Sequence, residues 1–177
     1  MAGWIVVSAT SNTLERFLET LQNSLEPYLG RIAYGNLRKE VSEWSSDGTH
    51  STNLALGYES PGGSTDQINV AFDHKGGLFH ITNEHGDEVT PDPEVVANAV
   101  MLRVEAIPAK RAATLRRCVN EWLGEGRSRG QMFVEANRLL QSGFRGGSIT
   151  HEELKDVIRY IVDCYDHRGT YNGTLSE

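Results

Sequence analysis

The apolar residues of this chain change their spacing along its length, and that change limits the folds open to it. Between Gln67 and Asp73 they fall at alternate positions, Ile68, Val70 and Phe72, which puts them on one face of an extended strand. Toward the C-terminus they fall three and four apart, as in Leu154, Val157, Ile158, Ile161, Val162 and Tyr165, the spacing of one helix face. Strand-like segments grouped ahead of grouped helices predict an α+β protein with an antiparallel sheet.

Four segments read as short and extended: Ile32 to Trp44, Thr52 to Tyr58, Gln67 to Asp73 and Leu78 to Thr82. The clusters Ser45-Ser46-Asp47-Gly48 and Ser60-Pro61-Gly62-Gly63 separate them, as in an antiparallel meander. Within the first, Lys39, Glu40 and Glu43 suit a helix as well as a strand. A hairpin turning at His74-Lys75-Gly76-Gly77 sets Phe72 opposite Phe79 and Val70 opposite Ile81, so every large apolar group shares a side. The same register puts His80 opposite Ala71 on the outer face.

Phe72 to Glu88 carries three of the six histidines of the chain. The hairpin sends His74 and His85 to opposite ends of one strand, on the order of 20 Å apart at roughly 3.3 Å per residue. One zinc ion needs its nitrogens at roughly 2 Å, so these two cannot share a metal. An arrangement of His85 with Glu84, Asp87 or Glu88 would leave its ligands in an exposed turn, and no metal ligand is assigned.

At the N-terminus, Trp4 to Ser8 has the β-branched texture of a short buried strand. Leu14, Phe17, Leu18, Leu21, Leu25 and Tyr28 then follow at helical spacing, with Asn12 as the expected cap and Glu15 in the first turn. Beyond the sheet, Pro91-Asp92-Pro93 opens Glu94 to Ile107, which is either helix throughout or helix passing into a strand at Met101 to Glu105. Pro108 starts the next helix, on which Ala112, Leu115, Val119 and Trp122 face the core, Lys110 and Arg117 point away, and Arg111 and Arg116 flank the stripe. Ser128 with Gln131, and Thr150 with Glu153, are capping-box pairs that begin two further helices. The expected organisation is an acidic lobe over residues 1–90, a helical lobe over 91–167 and a polar tail over 168–177. In the first lobe an amphipathic helix packs on a sheet of three to five strands; the second holds three or four antiparallel helices.

Charge follows this division. Residues 1–102 carry net −9, residues 103–145 net +5 and residues 146–177 net −3, giving the −7 of the whole chain. The basic band is the candidate anion site. Lys110, Arg116 and Arg117 lie along its first helix, and Arg127, Ser128 and Arg129 sit in the loop Gly124 to Gln131 that enters a helix N-terminus, where free N–H groups favour phosphate. The loop lacks the GxxxxGK[ST] phosphate pattern, so its rival reading is a plain helix connection with its charges paired inside the chain.

Catalytic patterns are missing from the sequence: there is no HExxH, no GxSxG and no dinucleotide fingerprint, and neither a catalytic residue nor a cofactor is assigned. Ser142 to Leu154 has the tail cadence of a calcium loop, but Ser142, Phe144 and Gly146 stand where oxygen ligands are required. Cys118 and Cys164, without CxxC spacing, read as reduced core thiols, and the sequon Asn172-Gly173-Thr174 as idle outside a secretory context. No apolar run reaches the roughly 20 residues of a membrane span. These features lead to the expectation of a cytoplasmic, non-catalytic factor that binds another protein, as an adaptor, chaperone-like or immunity-type component. The alternative is a phosphate- or nucleic-acid-binding protein that uses residues 110–129, and a more distant one is an enzyme with an unrecognised site.

Overall fold

A computed structural model describes residues 3–83, 86–145 and 149–165 of the chain. In order, the elements are α1 (Gly3–Leu25), a 3-10 turn (Ile32–Tyr34), β1 (Arg38–Ser46), β2 (Thr49–Glu59), β3 (Thr65–Asp73), β4 (Leu78–Asn83), β5 (Gly86–Thr90), α2 (Pro93–Glu105), α3 (Ile107–Gly124), α4 (Arg129–Arg145) and α5 (His151–Asp163). The class is α+β. The five strands form one antiparallel sheet in sequence order, β1-β2-β3-β4-β5.

Two compact units divide the chain. The first takes residues 1–30, 37–58 and 66–106; the second takes residues 31–36, 59–65 and 107–177.

In the first unit the turns follow from their residues. Asp47 and Gly48 both adopt positive φ, 50° and 78°, and form the two-residue loop that joins Ser46 to its partner Thr49. At the next hairpin Asp73 accepts the Lys75 and Gly76 amides on its two carboxylate oxygens at 2.9 and 3.1 Å, and Gly77 closes the turn at φ 66°. This turn sets Phe72 against Phe79, Val70 against Ile81 and Ala71 against His80, as the alternating pattern predicted. Phe17 of α1 meets Phe79 at 4.9 Å between ring centroids, and Phe79 meets Phe72 at 4.7 Å. All three rings are buried, each contributing roughly 1.5–3 kcal/mol relative to an exposed ring. Helix α2 packs against α1, β4 and β5.

Three local expectations change. The strand expected at Trp4–Ser8 is the opening of α1, and Asn12, expected as a cap, lies inside that helix. A short β-branched run has no period that distinguishes strand from helix, and Val7, seven residues before Leu14, continues the helical phase. The extended segment expected from Ile32 begins only at Arg38, because Gly35 and Asn36 take positive φ and turn the chain first. Between the two readings left open for Leu37–Trp44 and Met101–Glu105, the first is strand and the second is helix.

In the second unit, α3, α4 and α5 share one apolar cluster built from Leu115, Val119, Leu123, Met132, Ala136, Ile149, Val157, Ile161, Cys164 and Tyr165. Both predicted capping boxes form. The Ser128 amide donates to Gln131 Oε1 at 2.9 Å ahead of α4, and the Thr150 amide donates to Glu153 Oε2 at 2.8 Å ahead of α5. The calcium-like cadence falls partly on residues 146–148, outside the described residues, while Ile149 within it is a core side chain.

Candidate functional site

The most enclosed polar constellation lies in the second unit and centres on Arg111. The residues facing the core on α3 are Ile107, Arg111, Leu115, Val119 and Leu123, so Arg111 stands in the middle of the apolar stripe. This corrects the expectation that it flanks a stripe through Ala112 and Trp122. Arg111 is 1% exposed and donates from Nε and Nη2 to the two Glu153 oxygens at 2.8 and 3.1 Å. From Nη1 it donates to the Glu59 carbonyl. Glu153 therefore serves two partners, the guanidinium and the start of α5.

Gly35 lets the backbone come close at this point. Its φ is 62°, its carbonyl accepts the Glu59 amide at 2.7 Å, and a Cβ placed there would stand 2.4 Å from the Glu59 carbonyl oxygen. No buried side-chain nitrogen or oxygen among the described residues lacks a partner. All three guanidinium nitrogens of Arg111 are bonded within the chain, so the node is a structural lock.

The predicted anion site is more exposed but largely occupied by the chain itself. Arg127 donates from Nε to Glu125 at 2.8 Å and pairs from Nη1 with Glu135 at 2.7 Å. Those hydrogen bonds, that to Glu125 first, push its guanidinium pKa up. Its carbonyl accepts the Tyr165 hydroxyl at 2.9 Å, which pins the loop. Arg117 pairs with Glu121 one turn on at 3.9 Å, and Arg116 lies over the Tyr160 ring at 5.6 Å from its centroid. Lys110 is exposed near the start of α3 and also has an interaction partner. Ser128 caps α4, accepting the Gln131 amide at 3.4 Å, and Arg129 is the exposed first residue of that helix. A depression of about 310 Å³ opens beside them, lined by Arg127, Gly130, Gln131, Val134 and Glu135. Arg127, Ser128 and Arg129 stand together at the start of α4, and carboxylates pair with two of the band's cations, Arg117 and Arg127.

His74, placed in the hairpin turn by the sequence, gains a partner that the sequence did not single out, His50. His50 of β2 and His74 stack with ring centroids 4.1 Å apart and planes 8° from parallel. Thr52 Oγ1 lies 2.8 Å from His74 Nε2, and Glu43 lies 3.8 Å from His50. Burial, then the neighbouring His50, lowers the His74 pKa. Among the described residues, no group of three or more His, Cys, Asp or Glu side chains is placed to hold a metal ion. The arrangement of His85 with Glu84 lies outside the described residues.

Helix α2 carries another exposed feature. Asp92 caps it by accepting the Glu94 amide at 2.8 Å, and Pro93 supplies its first turn. Val96, Ala97, Val100 and Val104 are buried on one side. Two turns apart on the opposite side, Val95 is 45% and Leu102 69% exposed, with Ala99 between them. The signal visible in the sequence is a second apolar side, Val95, Ala99 and Leu102, on a helix whose Val96, Ala97, Val100 and Val104 already form one, with Glu94, Asn98 and Glu105 along the border between them.

Protein-family models, curated proteins and solved structures contain no match to this chain. No helix among the described residues is long and apolar enough to cross a membrane.

Proposed function

We propose that the protein is a non-catalytic binding factor for another protein, and that the outer face of α2 is a docking surface. The observation that carries this reading is Leu102, a large aliphatic side chain 69% exposed on a helix whose other face is core. Exposed apolar stripes on otherwise packed helices are surfaces that partner proteins cover. Val95 and Ala99 extend the stripe along the helix to about two turns. An adaptor, chaperone-like or immunity-type role in the cytoplasm fits such a surface. The basic band fits a phosphate or nucleic-acid ligand less well, because Arg117 and Arg127 already face carboxylates.

Affinity purification with quantitative mass spectrometry tests this, comparing the native chain, Leu102→Glu, and a chain with Arg116, Arg117, Arg127 and Arg129 all changed to alanine. The expected result is a protein retained by the native and arginine-substituted chains and lost from Leu102→Glu. Retention by Leu102→Glu together with loss from the arginine variant would overturn the reading in favour of the anionic alternative. Circular dichroism confirms that each variant is folded.

A further inference from the structure

We infer that two copies of this protein pair through the open edge of β1, antiparallel, about a two-fold axis that sets Val41 against the partner's Val41. The inference is independent of the α2 surface.

Strand β1 is an edge strand, hydrogen-bonded in the sheet to β2 alone among the described residues. It runs nine residues in unbroken one-to-one register, from Arg38 opposite Gly57 to Ser46 opposite Thr49. It contains neither proline nor glycine and no bulge; the edge device it does carry is charge, Arg38, Lys39, Glu40 and Glu43, which repels strands of unmatched charge. The opposite edge, β5, is only five residues long. Both faces of β1 are open to solvent, with Val41 44% and Trp44 54% exposed. Such an edge is a template for another strand.

The charges on β1 select which strand. A two-fold axis perpendicular to the sheet keeps each residue on its own face, so the pairing must be centred on a residue. Centring on Glu40 opposes the two Glu40 carboxylates, and centring on Glu43 does the same at that position. Centring on Ser42 sets Val41 opposite Glu43 and makes no ion pair. Centring on Val41 sets Lys39 opposite the partner's Glu43, twice by symmetry, and Arg38 opposite the partner's Trp44, also twice. The same face then carries Lys39, Val41 and Glu43, since each lies opposite Leu56, Leu54 or Thr52 of β2. Of these four registers, the one centred on Val41 alone pairs opposite charges and opposes no like charges.

The intramolecular contacts of Lys39 and Glu43 permit the pairing. Lys39 Nζ donates to Gln22, leaving further ammonium hydrogens for a carboxylate. The Glu43 side chain is 74% exposed, and its contact with His50 at 3.8 Å leaves lone pairs available. Pairing covers Val41 from the solvent on one face and Trp44 on the other, and joins two five-stranded sheets edge to edge.

Sedimentation velocity of the full chain, up to the order of a few hundred micromolar because an edge-only interface is small, tests the inference. The native chain is expected to dimerise reversibly. Lys39→Glu and Glu43→Lys each oppose like charges twice in the dimer and are expected to weaken its Kd at least about tenfold. Mixed in equal amounts, the two variants are expected to form a heterodimer, because every opposing pair then has opposite sign. Combining both substitutions in one chain is expected to restore the homodimer. A second readout leaves the charges untouched: under mild oxidation Val41→Cys chains cross-link to each other, while Ser45→Cys chains do not. A native chain that stays monomeric across the range would overturn the inference. So would single variants that dimerise as tightly as the native chain, a mixture that fails to associate, or Ser45→Cys cross-linking as readily as Val41→Cys.

Discussion

Replacing Arg111 by methionine takes a guanidinium from a position where 1% of its side chain reaches solvent, and leaves the Glu153 carboxylate, 12% exposed, without its ionic partner. Breaking a buried ion pair by removing one member costs roughly 3–5 kcal/mol, because the remaining charge stays desolvated. Two features place the loss near the lower end. Glu153 keeps its bond from the Thr150 amide at 2.8 Å, and methionine refills part of the volume beside Leu115. The expected loss is about 3 kcal/mol, a large share of the roughly 5–15 kcal/mol that holds a domain together. Glu153→Gln retains capping-box chemistry but strands the guanidinium, so it should cost a comparable amount. With both substitutions no charge remains unpaired, and the double variant should be more stable than the summed losses imply by about 2 kcal/mol. Urea unfolding measures this, followed by the fluorescence of Trp122, which packs against the apolar cluster of the second unit, in a background with Trp4 and Trp44 changed to phenylalanine. A loss below about 1 kcal/mol for Arg111→Met, or strict additivity in the double variant, would refute the reasoning that the pair is desolvated and mutually dependent.

Gly35→Ala forces an L side chain into φ 62° and drives its Cβ to 2.4 Å from the Glu59 carbonyl oxygen, whereas Gly126, at φ 74°, opens onto free space. Thermal unfolding should show Gly35→Ala losing on the order of 3 kcal/mol and Gly126→Ala about 1–2 kcal/mol; equal losses would mean that the close approach carries no cost. His74 should titrate below its ordinary value of 6.5 by NMR, rise toward it in His50→Gln, and fall further in Glu43→Gln, since burial and His50 lower it while Glu43 and Asp73 raise it. The native state then binds this proton less tightly than the unfolded chain, so the associated stability is complete above pH 6.5 and is lost as pH falls below it toward the native value. A midpoint at or above 6.5 would contradict the argument from burial and the neighbouring His50. Burial raises the pKa of both thiols, aided at Cys118 by Glu121 and at Cys164 by Asp163, and Cys164 is 3% exposed. Alkylation near neutral pH should therefore label Cys118 slowly and Cys164 only at the rate of unfolding; fast labelling of Cys164 would show that α5 does not stay docked.

The features legible in the sequence are those set by residues close together in the chain. The hairpin at Asp73 to Gly77 is one: an aspartate that binds two of the next three amides leaves one register in which Phe72 and Phe79 share a face. The capping boxes Ser128/Gln131 and Thr150/Glu153 are others, since each joins partners three residues apart. Trp4 to Ser8 shows the limit of such reading, because five apolar or small residues fit a strand or a helix until a longer element absorbs them.

The candidate sites depended on distance. Arg127 read as an anion ligand because Glu135 is eight residues away on the next helix, and sequence spacing does not show the ion pair that neutralises it. Residues two to four apart fix caps and turns through hydrogen bonds that need no distant partner, so these were written in the local order of side chains. Arg111 meets Glu153 and the Glu59 carbonyl across 42 and 52 residues, and whether its charge is solvated or buried is decided only when those segments meet. The same holds for which apolar side of α2 stays wet: burial is a property of what packs against a helix, and a helix with apolar residues on two sides does not encode which of them is covered.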